Sequence, residues 1–196
     1  MTAALSLPDR REWTVDDLAE LPSDLPYELI NGRLVVPSPT PAHQDLGGEI
    51  WLAVRANCPP EFFVSMDQSL KVSQRNEPRP DVVGIRVEHY GRTPVPIEDA
   101  VLAVEILSDH SHWRDTVEKS VLYAKAGIAT YWVIDQLGED EISLTEMILD
   151  RERMRYTLTG NETGVFTVTE PWPITIDLPA LTARRTTILN RVEATP

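Results

Sequence analysis

Two carboxylates, Asp81 and Glu105, stand beside strand-like apolar runs, Arg79-Pro80-Asp81-Val82-Val83-Gly84-Ile85 and Val101-Leu102-Ala103-Val104-Glu105-Ile106-Leu107-Ser108. Burying an ionised carboxylate without a partner is so costly that the group shifts its pKa or acquires a cation. Two such acids therefore suggest a cation between them. A hard divalent ion such as Mg²⁺, which takes one or two carboxylates and keeps several waters, is the simplest that fits. Further along, Asp115, Lys119 and Tyr123 recur at intervals of four. On a helix they lie away from a stripe of Trp113, Val117, Val121 and Ala124, so Lys119 points toward the open edge of the sheet. A positive amine beside a metal-bound water is useful chemistry.

Residue spacing alone leaves plainer readings open. Asp115 and Lys119 also fit an exposed i,i+4 ion pair worth about 0.3–0.5 kcal/mol. Asp81 fits a turn after Pro80, and Glu105 fits the solvated side of an antiparallel strand. Arg151, Arg153 and Arg155 share one face if their segment is a strand, either as a row of phosphate contacts or as an edge blunted by charge. Asp109-His110-Ser111-His112 invites a transition-metal reading, but two histidines without a further strong ligand set do not make one. Tyr131 and Trp132 open an apolar strand and belong to the core.

The elements that must position these groups are legible in turn signals and periodicity. Thr14 with Asp17 resembles a capping box opening a short helix to about residue 21. Tyr27-Glu28-Leu29-Ile30 and Arg33-Leu34-Val35-Val36 flank Asn31-Gly32, the dipeptide of a two-residue hairpin. Thr40 followed by Pro41 marks a helix start, and Leu46, Ile50, Ala53 and Val54 carry the helix to about residue 57. Strands are expected at 62–65, 69–73 and in the two acid-bearing runs. A helix over 112–126 ends at Gly127, and Tyr131-Trp132-Val133-Ile134 returns to strand. Strands at 142–149, 154–158, 164–169 and 174–176 and a last helix at 179–190 complete an α/β order, a mixed sheet flanked by helices.

Composition bounds the function. The 196 residues, 42% hydrophobic, suffice for one domain with a substantial core, expected to span 1–196. Acids outnumber bases 31 to 18, a net charge of −13 that disfavours loose attraction to nucleic acid or anionic membrane, so any phosphate must be held locally. A single cysteine, Cys58, excludes an intrachain disulfide and a thiolate metal cluster. The first 13 residues lack the apolar core of a signal peptide, and no run is long and apolar enough for a membrane span, so a cytoplasmic protein is expected.

Taken together, the pieces resemble the PD-(D/E)XK nuclease superfamily, and within it the Uma-type restriction-endonuclease family. The resemblance runs through Tyr27-Glu28-Leu29-Ile30-Asn31-Gly32, Ala42-His43-Gln44, Arg79-Pro80-Asp81-Val82-Val83, Val104-Glu105-Ile106-Leu107-Ser108 and Asp115. It continues through Glu118-Lys119, Tyr123-Ala124-Lys125-Ala126-Gly127 and Tyr131-Trp132-Val133-Ile134-Asp135. It implies a restriction-endonuclease-like core with an N-terminal hairpin and additional C-terminal strands. Asp81 and Glu105 would hold Mg²⁺ or Mn²⁺, and Lys119 would be the catalytic lysine. Leu107 occupies the place, two residues after the second acid, where the superfamily usually has that lysine, so the assignment requires the helical Lys119 to reach the same point.

The implied activity is metal-dependent endonucleolytic hydrolysis of phosphodiesters, in DNA. Glu28 would be a third acid of the site, and His43 with Gln44 would orient water or phosphate. A homodimer is expected because symmetric assemblies are common and such enzymes often cut both strands. Two other classes fit the same residues: a non-catalytic, homo-oligomeric or partner-binding module that keeps the fold, and a metal-dependent hydrolase of smaller phosphate compounds.

Overall fold

The computed structural model describes residues 10–22, 26–108, 113–138 and 141–194. A 3₁₀ turn, Val15–Glu20, comes first; the Asp17 carboxylate accepts from the Thr14 amide at 2.8 Å and from its hydroxyl at 2.7 Å. Strands β1 (Glu28–Ile30) and β2 (Arg33–Val35) form the expected hairpin. Asn31 and Gly32 both take positive φ, 52° and 76°, as a two-residue turn of this hand requires. Helix α1 (Pro41–Arg55) starts where Thr40 accepts from the His43 amide at 3.2 Å.

Strands β3 (Phe62–Met66), β4 (Leu70–Lys71), β5 (Val82–Arg86), β6 (Val95–Pro96) and β7 (Ala100–Ile106) follow. A π-helical turn, Arg114–Glu118, leads into α2 (Lys119–Ala126), which Gly127 ends in the left-handed conformation. The chain continues through β8 (Thr130–Asp135), β9 (Ser143–Asp150), β10 (Arg155–Glu162), β11 (Val165–Val168), β12 (Ile174–Asp177) and α3 (Leu178–Glu193).

Six strands make the central sheet in the order β10-β9-β8-β7-β5-β3. Only β7 and β8 run parallel, joined across one face by α2; the other pairs are antiparallel. The sheet is therefore mixed and flanked by helices, as expected. Strand alternation divides the core in two. Leu102, Val104, Ile106, Trp132 and Ile134 face Ile50 and Val54 of α1, while Ala103, Tyr131 and Val133 face Tyr123 of α2. The β11–β12 hairpin caps the α1 side with Phe166, Ile174 and Ile176. Trp172 lies so close to Gly84 that a Cβ there would sit 2.8 Å from the indole, so only glycine fits this point of β5.

The helix expected over 112–126 needs correction. Half of its expected apolar stripe is outside: Trp113 is 68% exposed and Val121 49%, Val117 is half-buried, and only Ala124 is buried together with Asp115, Lys119 and Tyr123. Apolar periodicity misleads here because a buried ionic cluster occupies the inward face. The arginine row is corrected too. Arg151 and Arg153 lie in the turn between β9 and β10, where Asp150 accepts from the Arg153 guanidinium at 2.6 Å, and only Arg155 is in a strand. The Asp109–His112 segment lies outside the described residues. No helix among the described residues is long and apolar enough to cross a membrane.

Candidate functional site

Asp81 and Glu105 are brought together by strand register. Val82 pairs with Val104 across the antiparallel β5–β7 ladder, and one further step sets Asp81 opposite Glu105. Residues opposite each other share a face, with Cβ atoms about 4.5–5.5 Å apart. That face is the one covered by α2, because Glu105 alternates with Val104 and Ile106, which point to α1. Asp81 Oδ2 accepts from the Ile106 amide at 2.6 Å, so the acid is fixed to the strand end.

Lys119 is the first residue of α2 and is 1% exposed. Its Nζ lies 2.7 Å from Glu28 Oε2, 2.8 Å from Glu105 Oε2 and 3.5 Å from Asp115 Oδ1. One helical turn on, the Tyr123 hydroxyl donates to Glu105 Oε1 at 2.8 Å. The Tyr131 hydroxyl donates to the Asp115 carbonyl at 2.5 Å and anchors the π-helical turn to the sheet. Glu28 arrives from outside the sheet: paired amides of Leu29 and Glu77 tie the N-terminal hairpin to the segment that runs into Asp81.

The first turn of α1 completes the group. His43 Nε2 lies 3.0 Å from the Ile106 carbonyl and 3.4 Å from Asp81 Oδ2. All five residues singled out in the sequence, Glu28, His43, Asp81, Glu105 and Lys119, thus line one cleft of about 380 Å³. The exposed ion-pair reading of Asp115 and Lys119 is excluded by their burial. Sequence reasoning gave no role to Tyr123 as a partner of Glu105, or to Arg79 at the cleft. The i,i+4 series Asp115, Lys119, Tyr123 was the available signal for the first, once its face is taken as the inner one.

The electrostatics are unbalanced toward negative charge. Three acids surround one ammonium, and Asp81 stands beside them. Burial by itself would push Lys119 down, but the fields of Glu105, Glu28 and Asp115 outweigh it and hold the amine well above its ordinary range. Glu105 is pushed well above the carboxylate range, first by burial and then by Asp115, Asp81 and Glu28, with Lys119 pulling the other way. Burial is the larger cause of that rise, and the neighbouring acids add to it. His43 is raised: burial pulls it down, and the Asp81 hydrogen bond and charge overcome that.

This donor set fits a hard divalent cation. Asp81 and Glu105 offer carboxylate oxygens from adjacent strands, the Asp81 side chain remains 25% exposed to the cleft, and a further positive charge would relieve the surplus. Among the described residues, three ligand-type atoms lie within 4.8 Å of one another elsewhere, at Glu88, His89 and Asp99. Two arginines already stand in the field of that group. His89 Nε2 is 2.8 Å from Asp99, Arg92 approaches His89 Nδ1 at 3.3 Å, and Arg86 lies 3.5 Å from Asp99.

A family model described as "Uma2: Putative restriction endonuclease" matches residues 15–177. Among solved structures, the chain is similar to a "putative nuclease belonging to DUF820" from Anabaena variabilis ATCC 29413. The two share 16% identity with a TM-score of 0.65, over 87% of this chain and 97% of the other. At that identity the likeness establishes the fold. No curated protein matches the chain.

Proposed function

The chain belongs to the Uma2 restriction-endonuclease family, and from that premise we propose that it is a metal-dependent endonuclease that hydrolyses phosphodiester bonds in DNA. The observation that carries the reading is the convergence of Asp81, Glu105, Glu28 and Lys119 in one cleft with more negative charge than Lys119 neutralises. Asp81 and Glu105 would hold Mg²⁺ or Mn²⁺. The ion would supply Lewis-acid polarisation of the phosphoryl oxygen and a water acidic enough to attack near neutral pH.

The chain's own groups have definite tasks. Glu28 and Glu105 hold Lys119 by two short contacts, so a fixed, charged ammonium stands beside the acids that would carry the ion and positions Glu105. Tyr123 orients Glu105 from the far side of its carboxylate. His43, against Asp81 and the Ile106 carbonyl, orients water or phosphate at the cleft mouth. In a homodimer each strand of a duplex would meet its own cleft. The arginine-neutralised group at Glu88, His89 and Asp99 is the weaker metal candidate, because Arg86 and Arg92 already occupy its field.

The test is cleavage of supercoiled plasmid by purified protein with Mg²⁺ or Mn²⁺. Wild type should nick or linearise it. Asp81→Ala should lose at least about 10²-fold in rate, and cutting at the wild-type rate by Asp81→Ala would refute the assignment. Failure of wild type to cut or to bind metal would leave the non-catalytic module.

A further inference from the structure

The acids of this cleft create a difficulty that some other group must solve. A phosphodiester has to settle beside five lining carboxylates in a chain of net charge −13, and repulsion opposes it unless cations meet the phosphate; an ion on Asp81 and Glu105 would supply only part of that charge. Lys119 is poorly placed for that contact, being 1% exposed with its ammonium enclosed by Glu28 and Glu105. Arg114 also lines the cleft, with a side chain 21% exposed; its Nε lies 3.7 Å from the buried Asp115 and makes no hydrogen bond to it.

Arg79 differs in how it is held. It lines the same cleft, and its side chain is 23% exposed. One edge of the guanidinium is clamped by Asp67: Nε donates to Oδ1 at 2.9 Å and Nη2 to Oδ2 at 3.0 Å, while Nη2 also reaches the Asp67 carbonyl at 2.8 Å. Nη1 makes no hydrogen bond to the described residues, so its two N–H groups are available. The clamp is tied to the site at both ends. The Arg79 amide donates to Glu28 Oε2 at 3.4 Å, and the Asp67 amide donates to the Asp81 carbonyl at 3.2 Å. Asp67 itself stands outside the buried cluster, with a 58% exposed side chain.

A guanidinium held along one edge has already lost most of its rotamer freedom, and its remaining edge matches phosphate geometry. We propose that Arg79 is the phosphate-binding cation of this cleft, presenting Nη1 to a backbone phosphate of the nucleic-acid substrate while Asp67 orients the fork. The proposal rests on the nuclease reading and adds its substrate contact. Asp67 has two opposed effects: it aims Arg79 and it screens part of the charge.

The test is fluorescence anisotropy with a labelled DNA duplex, using the full chain with Ca²⁺ in place of Mg²⁺, over a series of salt concentrations. Arg79→Ala should bind about tenfold more weakly, with a slope of log affinity against log salt shallower by about one. Arg79→Lys keeps the charge without the fork and should fall between the two. Asp67→Asn keeps a side-chain oxygen for Nε and the main-chain carbonyl for Nη2 while removing a competing acid, so it should bind at least as tightly as wild type. Wild-type affinity and slope in Arg79→Ala would overturn the proposal. So would a loss of binding in Asp67→Asn equal to that in Arg79→Ala, which would assign the pair to holding the loop. Wild type that binds no DNA at any salt would instead sink the nuclease reading underneath.

Discussion

Strand β7 presents two unlike environments to its two sides. Leu102, Val104 and Ile106 enter an apolar layer with Trp132 and α1, while Glu105, set between them, enters a layer where Lys119 and two further acids are buried. The apolar side needs nothing but close packing. The charged side depends on every partner, since removing one member of a buried ionic group costs about 3–5 kcal/mol, whereas replacing the whole group with packed apolar residues is often neutral or stabilising. A protein selected only for stability would have two apolar sides. The second side therefore points to a task beyond holding the fold together.

The largest effect that sharpens this contrast is expected from Lys119→Met. It leaves Glu28, Glu105 and Asp115 buried without their ammonium and should cost about 3–5 kcal/mol in denaturant unfolding, with cleavage lost as well. An unchanged unfolding midpoint would break the contrast. On the apolar side, Trp132→Ala should cost a similar 3–5 kcal/mol or so by leaving a cavity, yet should spare divalent-metal affinity in whatever fraction stays folded. Equal loss of metal affinity in both variants would mean that the two layers act as one unit.

A smaller change is expected from Tyr123→Phe. It removes the hydroxyl on Glu105 without changing the packing, so metal affinity or cleavage should fall roughly 10–100-fold. Thermal unfolding of the same variant checks that the loss is not one of folding. The smallest effect lies at the surface, where Arg184 reaches from α3 to Asp45 on α1 at 2.6 Å. Arg184→Ala should shift the unfolding midpoint only slightly. Arg184 holds the Asp45 carboxyl below its ordinary range, so this contribution is present above that range and fades as pH falls through the lowered value. A pH-independent difference between Arg184→Ala and wild type would contradict that origin.

Much of the fold was legible because local signals and global packing agree. Asn31-Gly32 dictated a hairpin, Thr40-Pro41 a helix start, and Gly127 a helix end, and each stands where its chemistry places it. The site was legible where a carboxylate interrupted an apolar strand, as at Glu105. Legibility failed on the helix around Lys119, because periodicity equates apolar with inward, and here the inward positions are Asp115, Lys119 and Tyr123. The alternation of Arg151, Arg153 and Arg155 left a shared strand face open, but the first two sit in a turn around Asp150. Contacts set by tertiary approach, such as Arg79 with Asp67 or Tyr131 with the Asp115 carbonyl, leave no spacing in the sequence to read.

If the acids of this cleft form a divalent-cation site, calorimetric titration with Mn²⁺ reads that site out. Wild type should bind through this site, and Asp81→Asn, which keeps the shape and removes the charge, should lose that binding. Equal heats from wild type and Asp81→Asn, or none from wild type, would contradict it.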